Sequence, residues 1–391
     1  MKRVCFDYQA GSPVDPRVFE AMTPYFGTMF GNPSSTHAFG QEAKNAIEEA
    51  RMKIASLIGA RKKEEIIFTS GATESNNLAL IGTAQRNKEK GDGITTSAIE
   101  HISILNVCKY LARQGFSVKH VPVDSYGLVD PTSVEKTVSE KTIIISIMYA
   151  NGEIGTIEPI AEIGKIAHTH GAVFHVDAVA AVGKIPVDVE RENIDLLSLS
   201  SNDLYGPKGV GALYVREGTR IAPIILGGGQ ERGLRSGTEN VPAIIGMGRA
   251  AEIAAKEMAD ESVRLARLTD RLRAGITKEI PYSYLNGHPT ARLPNNLSMR
   301  FSYIEGESLV LSLDMEGIAV SSGSACSSKT LEPSHVLRAI GLAHEEAHGS
   351  LLFSLGRWNT DDDVDQVLSV LPGIVSRLRR MSPLTPKNLQ V

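Results

Sequence analysis

The chain has 391 residues, of which 42% are hydrophobic and 22% are charged, and its formal net charge is −4. This composition is typical of a globular protein with a sizeable core, and the mild negative charge without a basic block argues against nucleic acid as the main partner. The longest apolar runs, such as residues 143–147, are far shorter than a membrane span, and the N-terminus lacks the apolar stretch of a signal peptide. We therefore expect no membrane partner. Three cysteines, Cys5, Cys108 and Cys326, cannot form a disulfide framework, so we expect a reducing cytoplasmic location.

Short apolar runs alternate with segments of helical period between about residue 60 and residue 215. The predicted strands are 65–69, 94–97, 116–122, 142–149, 172–177, 196–200 and 210–215. The predicted helices between them are 74–90, 102–114, 131–139 and 159–170. Because strands that alternate with helices are joined by crossover connections, the pattern predicts an α/β fold with a mostly parallel sheet flanked by helices.

The remaining segments show a different pattern. Residues 16–58 predict two helices around a loop, and residues 243–278 predict a long helical stretch that is kinked or made of two helices. Residues 280–380 mix short strands with helices, which favours a smaller α+β domain packed on the large α/β domain. The predicted bounds are 16–254 for the large domain, and 1–15 with 255–391 for the small one.

One turn has the chemistry of an anion site. Ser70-Gly71-Ala72-Thr73 follows a predicted strand and opens a predicted helix. Free backbone N–H groups and the positive end of the helix dipole favour a phosphate at such a turn, and Thr73 adds a hydroxyl donor. The alternative is a well-capped helix that binds nothing, and the turn alone does not decide between them.

Six motifs in chain order resemble those of the cysteine desulfurases, the IscS- and NifS-like enzymes that use pyridoxal phosphate (PLP) to supply sulfur for iron–sulfur clusters. The motifs occupy residues 6–10, 31–35, 68–77, 174–178, 227–238 and 321–326. The resemblance covers nearly the whole chain. It implies the class-V aminotransferase fold, which has the fold-type I architecture of PLP enzymes and a mostly parallel sheet of the seven-stranded type. It also implies a homodimer that works with L-cysteine and an IscU-like scaffold protein.

The resemblance also implies roles for individual residues. Ala72, Thr73 and Ser200 match phosphate contacts, and Thr238 matches a phosphate contact supplied by the other subunit. Asp177 matches the partner of the pyridine nitrogen, although a carboxylate there could instead cap a backbone turn. His101 matches the histidine that stacks on the cofactor ring, although a histidine at a helix start is more often a simple helix contact.

The cofactor-lysine loop departs from the family pattern. At positions 202 and 203 the family has His-Lys, and this chain has Asn202 and Asp203. A carboxylate cannot condense with an aldehyde, so Asp203 cannot form the Schiff base. Lys208 is the family's own second lysine, and we expect it to point elsewhere.

Three further departures affect cofactor and substrate contacts. Gly152 and Ala180 replace an asparagine and a glutamine that, in the family, contact the phenolic oxygen of the cofactor. Leu352 replaces the arginine that binds the substrate carboxylate. Such an arginine contact contributes roughly a few kcal/mol to substrate binding, so these losses together indicate changed chemistry.

Cys326 matches the sulfur-accepting cysteine, and its Ser- and Gly-rich surroundings suit a reactive thiolate better than a packing role. Such a thiolate can carry persulfide sulfur or ligate a [2Fe–2S] cluster shared with a partner. Cys5 and Cys108 lie in a strand pattern and a helix pattern, which favours packing roles.

Three functions remain open. The first is an iron–sulfur assembly protein that works through Cys326 without ordinary desulfurase turnover and with PLP absent or non-covalently bound. The second is a residual cysteine desulfurase that converts L-cysteine to L-alanine with non-covalent PLP and Asp203 as the base. The third is a different lysine-independent enzyme that uses PLP or pyridoxamine phosphate.

Overall fold

The computed structural model describes residues 3–323 and 333–387. Its strands are β1 Val4–Cys5, β2 Ile66–Thr69, β3 Gly93–Ser97, β4 Ser117–Val121, β5 Thr142–Ser146, β6 Val173–Asp177, β7 Leu196–Ser200, β8 Gly211–Val215, β9 Ser283–Leu285, β10 Asn296–Phe301, β11 Ile318–Ala319 and β12 Ser350–Ser354. Its helices are α1 Pro16–Met22, α2 Ala38–Leu57, α3 Ala72–Asn87, α4 Ile102–Arg113, α5 Pro131–Thr137, α6 Ile160–Thr169, α7 Val241–Glu279, α8 Gly306–Met315, α9 His335–Ala339, α10 His344–His348 and α11 Asp361–Met381.

The main sheet has seven strands in the order β2-β8-β7-β6-β5-β3-β4. All neighbouring pairs are parallel except the two that involve β8, so β8 alone runs against the other six strands. Every residue of β5 is buried, as expected for a strand covered by helices on both faces. The predicted α/β fold with a mostly parallel sheet is confirmed.

The sheet topology brings five loops to one edge. Because β2, β3, β5, β6 and β7 all run in the same direction, the segments that follow their carboxyl ends lie on the same side of the molecule. Ligand sites of open α/β sheets lie at this edge. The turn Ser70–Thr73 follows β2, and Asp177 is the last residue of β6. The fold therefore places these predicted site residues at the edge where such sites lie.

The rest of the chain forms a second apolar cluster. β10 lies between β9 and β12 in an antiparallel sheet, and β1 pairs with β11. Side chains of this sheet pack with α8, α11 and the second half of α7, and Val4 and Phe6 of the N-terminal segment join them. The proposed division of the chain into two domains stays a prediction.

The long helix differs from its prediction. α7 runs over 39 residues as one α-helix, neither kinked nor divided. Ala, Glu, Arg and Leu dominate its middle, and these residues have high helix propensity. Pro242 lies in the first turn, where a missing N–H does no harm. None of the helices in the described ranges combines the length and apolarity that crossing a lipid bilayer requires.

Candidate active site

A cavity of about 410 Å³ lies at the carboxyl edge of the main sheet. Its volume falls within the range of roughly 300–1,000 Å³ that is usual for small-molecule sites. Five predicted site residues line it: Ala72, Thr73, His101, Asp177 and Asp203. A smaller cavity of about 260 Å³, lined in part by Asp92, Lys119 and Lys141, contains none of the predicted site residues.

The turn before α3 leaves backbone N–H groups without a side-chain cap from the described residues. Gly71 precedes the helix with a φ of 149°, a conformation that suits glycine, and no side chain in the described parts of the chain caps this helix end. The hydrogen bonds of the helix begin at Ser75, whose backbone N–H donates to the Gly71 carbonyl at 3.1 Å. The N–H groups of Ala72 and Thr73 therefore remain available at the cavity wall.

Asp177 and His101 lie on the cavity with defined partners. The buried Asp177 carboxylate accepts hydrogen bonds from Asn76 Nδ2 at 2.8 Å and from the Val179 N–H at 3.1 Å. His101 caps α4 through Nδ1, which lies 3.2 Å from the Ser103 backbone nitrogen. The helix contact considered for His101 is therefore present, and the same side chain also lines the cavity.

Asp203 lies on a single 3-10 turn, Asn202–Leu204, directly after β7. Burial raises the pKa of its carboxyl, whereas the positive charge of Lys184 and hydrogen bonds from the Ser200 and Asn202 side chains favour the ionised form. Ser200, a predicted phosphate contact, thus faces Asp203. Asn202 Oδ1 also accepts a hydrogen bond from the Ser12 N–H at 3.2 Å.

Lys208 and Lys184 are both engaged outside the cavity. Lys208 Nζ donates to the Ser12 carbonyl at 2.9 Å, in line with the prediction that it points elsewhere. Lys184 Nζ donates to the Asp203 carbonyl at 3.0 Å. Burial lowers the pKa of Lys184, and the charges of Asp203 and Glu261 oppose that shift. Within residues 3–323 and 333–387, the cavity lining contains neither lysine nor arginine.

The other three departures from the family pattern also lie on the cavity. Gly152, Ala180 and Leu352 all line it. A Cβ atom at Gly152 would lie 2.6 Å from Gln9 Nε2, so the Gln9 side chain occupies space that a larger residue would need. Leu352 is buried, and it presents an apolar surface where the resemblance implies an arginine.

Sequence reasoning missed three further carboxyl groups on the cavity: Asp7, Glu100 and Glu153. One oxygen of each is buried and has no hydrogen-bond partner among the described residues. Burial raises the pKa of both Glu100 and Glu153 to about 8. The position of Glu100, directly before His101 at the start of α4, was the one sequence signal that could have identified it.

Thr238 is exposed and does not line the cavity of its own chain. The loop that carries it is anchored by Glu231, whose carboxylate accepts hydrogen bonds from both Nη atoms of Arg51 at 2.7 Å and from the Phe68 N–H at 2.8 Å. Glu231 and Arg232 both have positive φ values, 46° and 56°. The buried ion pair holds this loop in a conformation that non-glycine residues seldom adopt.

Cys326 lies outside the described residues; Ser321 and Gly323, which precede it in the sequence, line the cavity. Cys108 is buried, as predicted for a packing residue, and burial raises the pKa of its thiol to about 12. Cys5 is exposed, so the packing role predicted for it is wrong.

The described part of the chain contains no group of three or more side chains able to hold a metal ion.

These residues fit only part of PLP. The open turn at Ala72 and Thr73 suits its phosphate, and Asp177 suits a protonated pyridine nitrogen. No amine is present for its aldehyde among the described lining residues, and the carboxyl of Asp203 lies there instead. The site therefore does not fit PLP as a covalently attached cofactor.

Comparisons with known proteins agree with the fold. The family model described as "Aminotransferase class-V" matches residues 4–367. The "Cysteine desulfurase IscS 1" of Archaeoglobus fulgidus is 62% identical over 379 residues, which are 97% of this chain and 98% of that protein. The "Cysteine desulfurase IscS" of Methanosarcina thermophila is 54% identical and covers 99% of this chain and 95% of its own length.

A solved structure described as a "NIFS-LIKE PROTEIN" superposes with a TM-score of 0.91 at 41% identity, and the match covers 96% of this chain and 100% of that one. Together with the seven-stranded sheet, this likeness confirms the fold-type I architecture of PLP enzymes. The chain belongs to the class-V aminotransferase family, within its group of IscS- and NifS-like cysteine desulfurases.

Proposed function

We propose that this protein takes part in iron–sulfur cluster assembly through Cys326 and lacks ordinary PLP-dependent desulfuration. One observation carries the proposal: the cavity expected to hold PLP presents the carboxyl of Asp203 and, among its described lining residues, no lysine. Because a carboxylate cannot bind the aldehyde covalently, the described lining of the cavity offers no amine for Schiff-base formation with PLP.

Cys326 would supply the chemistry that remains. As a thiolate it can attack the outer sulfur of a donor persulfide, so that the sulfur moves to Cys326 and the donor leaves as a thiolate. Alternatively, its sulfur can serve as one ligand of a [2Fe–2S] cluster held jointly with an IscU-like scaffold protein. Another desulfurase would supply the sulfur in the first case, and free sulfide would supply it in the second.

The proposed assembly is a cytoplasmic homodimer. Thr238 faces away from its own cavity on an anchored loop, so it is available to the cavity of a second copy. Large aromatic side chains around α1 and the start of α2 are also exposed: Phe19, Phe26, Phe30 and Phe39. An exposed apolar group of this size is typical of a protein–protein contact.

The second candidate, a residual desulfurase with non-covalent PLP, is favoured by the open turn at Ala72 and Thr73 and by Asp177. In that case Asp203 would act as the proton-accepting base. Burial raises the pKa of its carboxyl, and a higher pKa makes a carboxylate a better base.

Sulfide release separates the two candidates. We expect the purified protein, given PLP, L-cysteine and a thiol reductant, to release no sulfide above a reaction without protein. A lysine-containing cysteine desulfurase assayed in parallel serves as the positive control. Sulfide release above background that depends on Cys326 would contradict the proposal and support the residual desulfurase.

A further inference from the structure

The cavity has opposite electrostatic preferences at its two sides. The uncapped start of α3 offers backbone N–H groups and the positive end of the helix dipole to an anion. Elsewhere the lining carries five carboxyl groups and, within the described ranges, no lysine or arginine, although the charge of Lys184 acts on Asp203 from outside the cavity. The five groups belong to Asp7, Glu100, Glu153, Asp177 and Asp203. This pattern suits a ligand with a phosphate at one end and a positive charge at the other.

Unsatisfied acceptors strengthen this reading. Glu100 has no exposed surface, and its Oε2 atom has no hydrogen-bond partner among the described residues. Its other oxygen, Oε1, accepts from Ser97 Oγ at 2.6 Å and from the Met148 N–H at 2.9 Å. Glu153 Oε1 is also buried without a partner there. Buried polar atoms of this kind are costly unless a partner reaches them, so they indicate that the cavity holds a polar ligand.

Asp203 distinguishes the two common forms of the cofactor. Its carboxyl lies on the cavity and is held from behind by Ser200 and Asn202. Lys184 Nζ donates to the backbone carbonyl of Asp203, and Lys184 is absent from the cavity lining, whereas Asp203 itself lines the cavity and is accessible to a ligand there. A carboxylate repels the carbonyl oxygen of an aldehyde, whereas it forms charge-assisted hydrogen bonds with an ammonium group.

We propose that this cavity binds pyridoxamine 5′-phosphate, the amine form of the cofactor, without a covalent bond and in preference to PLP. Its ammonium group would lie against Asp203, its ring nitrogen against Asp177 and its phosphate at the turn formed by Ala72 and Thr73. The inference rests on the part of the proposed function that denies covalent PLP attachment, and it is independent of the role of Cys326.

Three ligands that differ only in one substituent test the inference. Pyridoxamine 5′-phosphate carries an aminomethyl group, pyridoxine 5′-phosphate a hydroxymethyl group and PLP an aldehyde at the same ring position. Isothermal titration of the full-length protein should show the amine binding about tenfold or more tightly than the alcohol, because a hydrogen bond to a charged group is stronger than a neutral one. PLP should bind no more tightly than the alcohol.

Asp203→Asn is the matched variant, since it keeps the shape of the side chain and removes its charge. It should abolish the preference for the amine and leave the affinity for the alcohol within a few-fold of the parent value. Asp203→Ser provides the same test if the asparagine variant does not fold. Asp177→Asn should weaken all three ligands to a similar extent, because the ring nitrogen is common to them.

Equal affinities for the three ligands, no binding of any of them, or a preference that survives in Asp203→Asn would each overturn the inference. None of these results bears on cluster transfer through Cys326. Covalent capture of PLP by borohydride would instead contradict the proposed function itself, so the two failures can be told apart.

Discussion

Replacement of Cys326 by serine should reduce transfer of sulfur or of an assembled cluster to the level of a reaction without the protein. A hydroxyl neither carries persulfide sulfur nor replaces a thiolate as a soft iron ligand. The measurement is the rate at which a [2Fe–2S] absorption band develops on an IscU-like scaffold protein supplied with ferric iron and sulfide, with and without equimolar protein.

The other two cysteines provide the controls for that experiment. Cys108 is buried and its thiol pKa is raised to about 12 by burial, so Cys108→Ala should leave the rate unchanged. Cys5 is exposed, and Cys5→Ser tests whether this accessible thiol contributes to the rate. A Cys326→Ser protein that transfers clusters at the parent rate would exclude the role assigned to this residue.

Asp203→Lys should bind one equivalent of PLP covalently, whereas the parent protein should bind none covalently. The new amine would enter the cavity at the position of the family lysine, beside the anion-type turn and Asp177. Lys184 already lies within hydrogen-bond distance of this residue's carbonyl, and its positive charge would lower the pKa of the new amine. A larger neutral fraction makes that amine a better nucleophile. The measurement is the absorbance of the imine and its fixation by borohydride.

The same variant should recover little desulfurase turnover. Gly152, Ala180 and Leu352 still line the cavity, and none of them offers the contacts that the family uses for the cofactor oxygen and the substrate carboxylate. Addition of Leu352→Arg to Asp203→Lys should therefore raise kcat/KM for L-cysteine above that of Asp203→Lys alone. Turnover by Asp203→Lys alone at the rate of a lysine-containing desulfurase would show that the other departures do not matter.

The elements with the clearest patterns were predicted well. Both ends of strand β7, at residues 196 and 200, were predicted correctly. An apolar run bounded by turn residues defines the ends of a buried strand closely. The error at α7 arose because a patterned segment of 39 residues is far longer than an ordinary helix, and the sequence pattern does not show that packing can keep it continuous.

Motif positions in the sequence indicated which residues reach the cavity, but not what surrounds them. The substitutions at 152, 180, 203 and 352 all line it. The hydrogen bond of Lys184 to Asp203 spans 19 residues, and the close approach of Gln9 to Gly152 joins two distant segments. Such contacts depend on how the chain folds over itself, so spacing along the sequence does not reveal them. The unpartnered oxygens of Glu100 and Glu153 are equally a property of the folded cavity.

Several departures from the family pattern lie together on this one cavity. The aldehyde-binding amine is replaced by a carboxyl group, the space at Gly152 is filled by Gln9, and the substrate side carries Leu352. The open start of α3 and Asp177 remain. Under the proposed function, this arrangement binds a phosphorylated ring and lacks the groups that react with cysteine.

The central claim is that this chain holds no PLP covalently, and one spectrum tests it most directly. The purified protein is measured as isolated and after one equivalent of PLP, each before and after borohydride, and the mass of the chain is then determined. The account predicts no imine band that borohydride fixes and an unchanged chain mass. A chain heavier by one reduced PLP, with the label on Lys184 or Lys208, would contradict it.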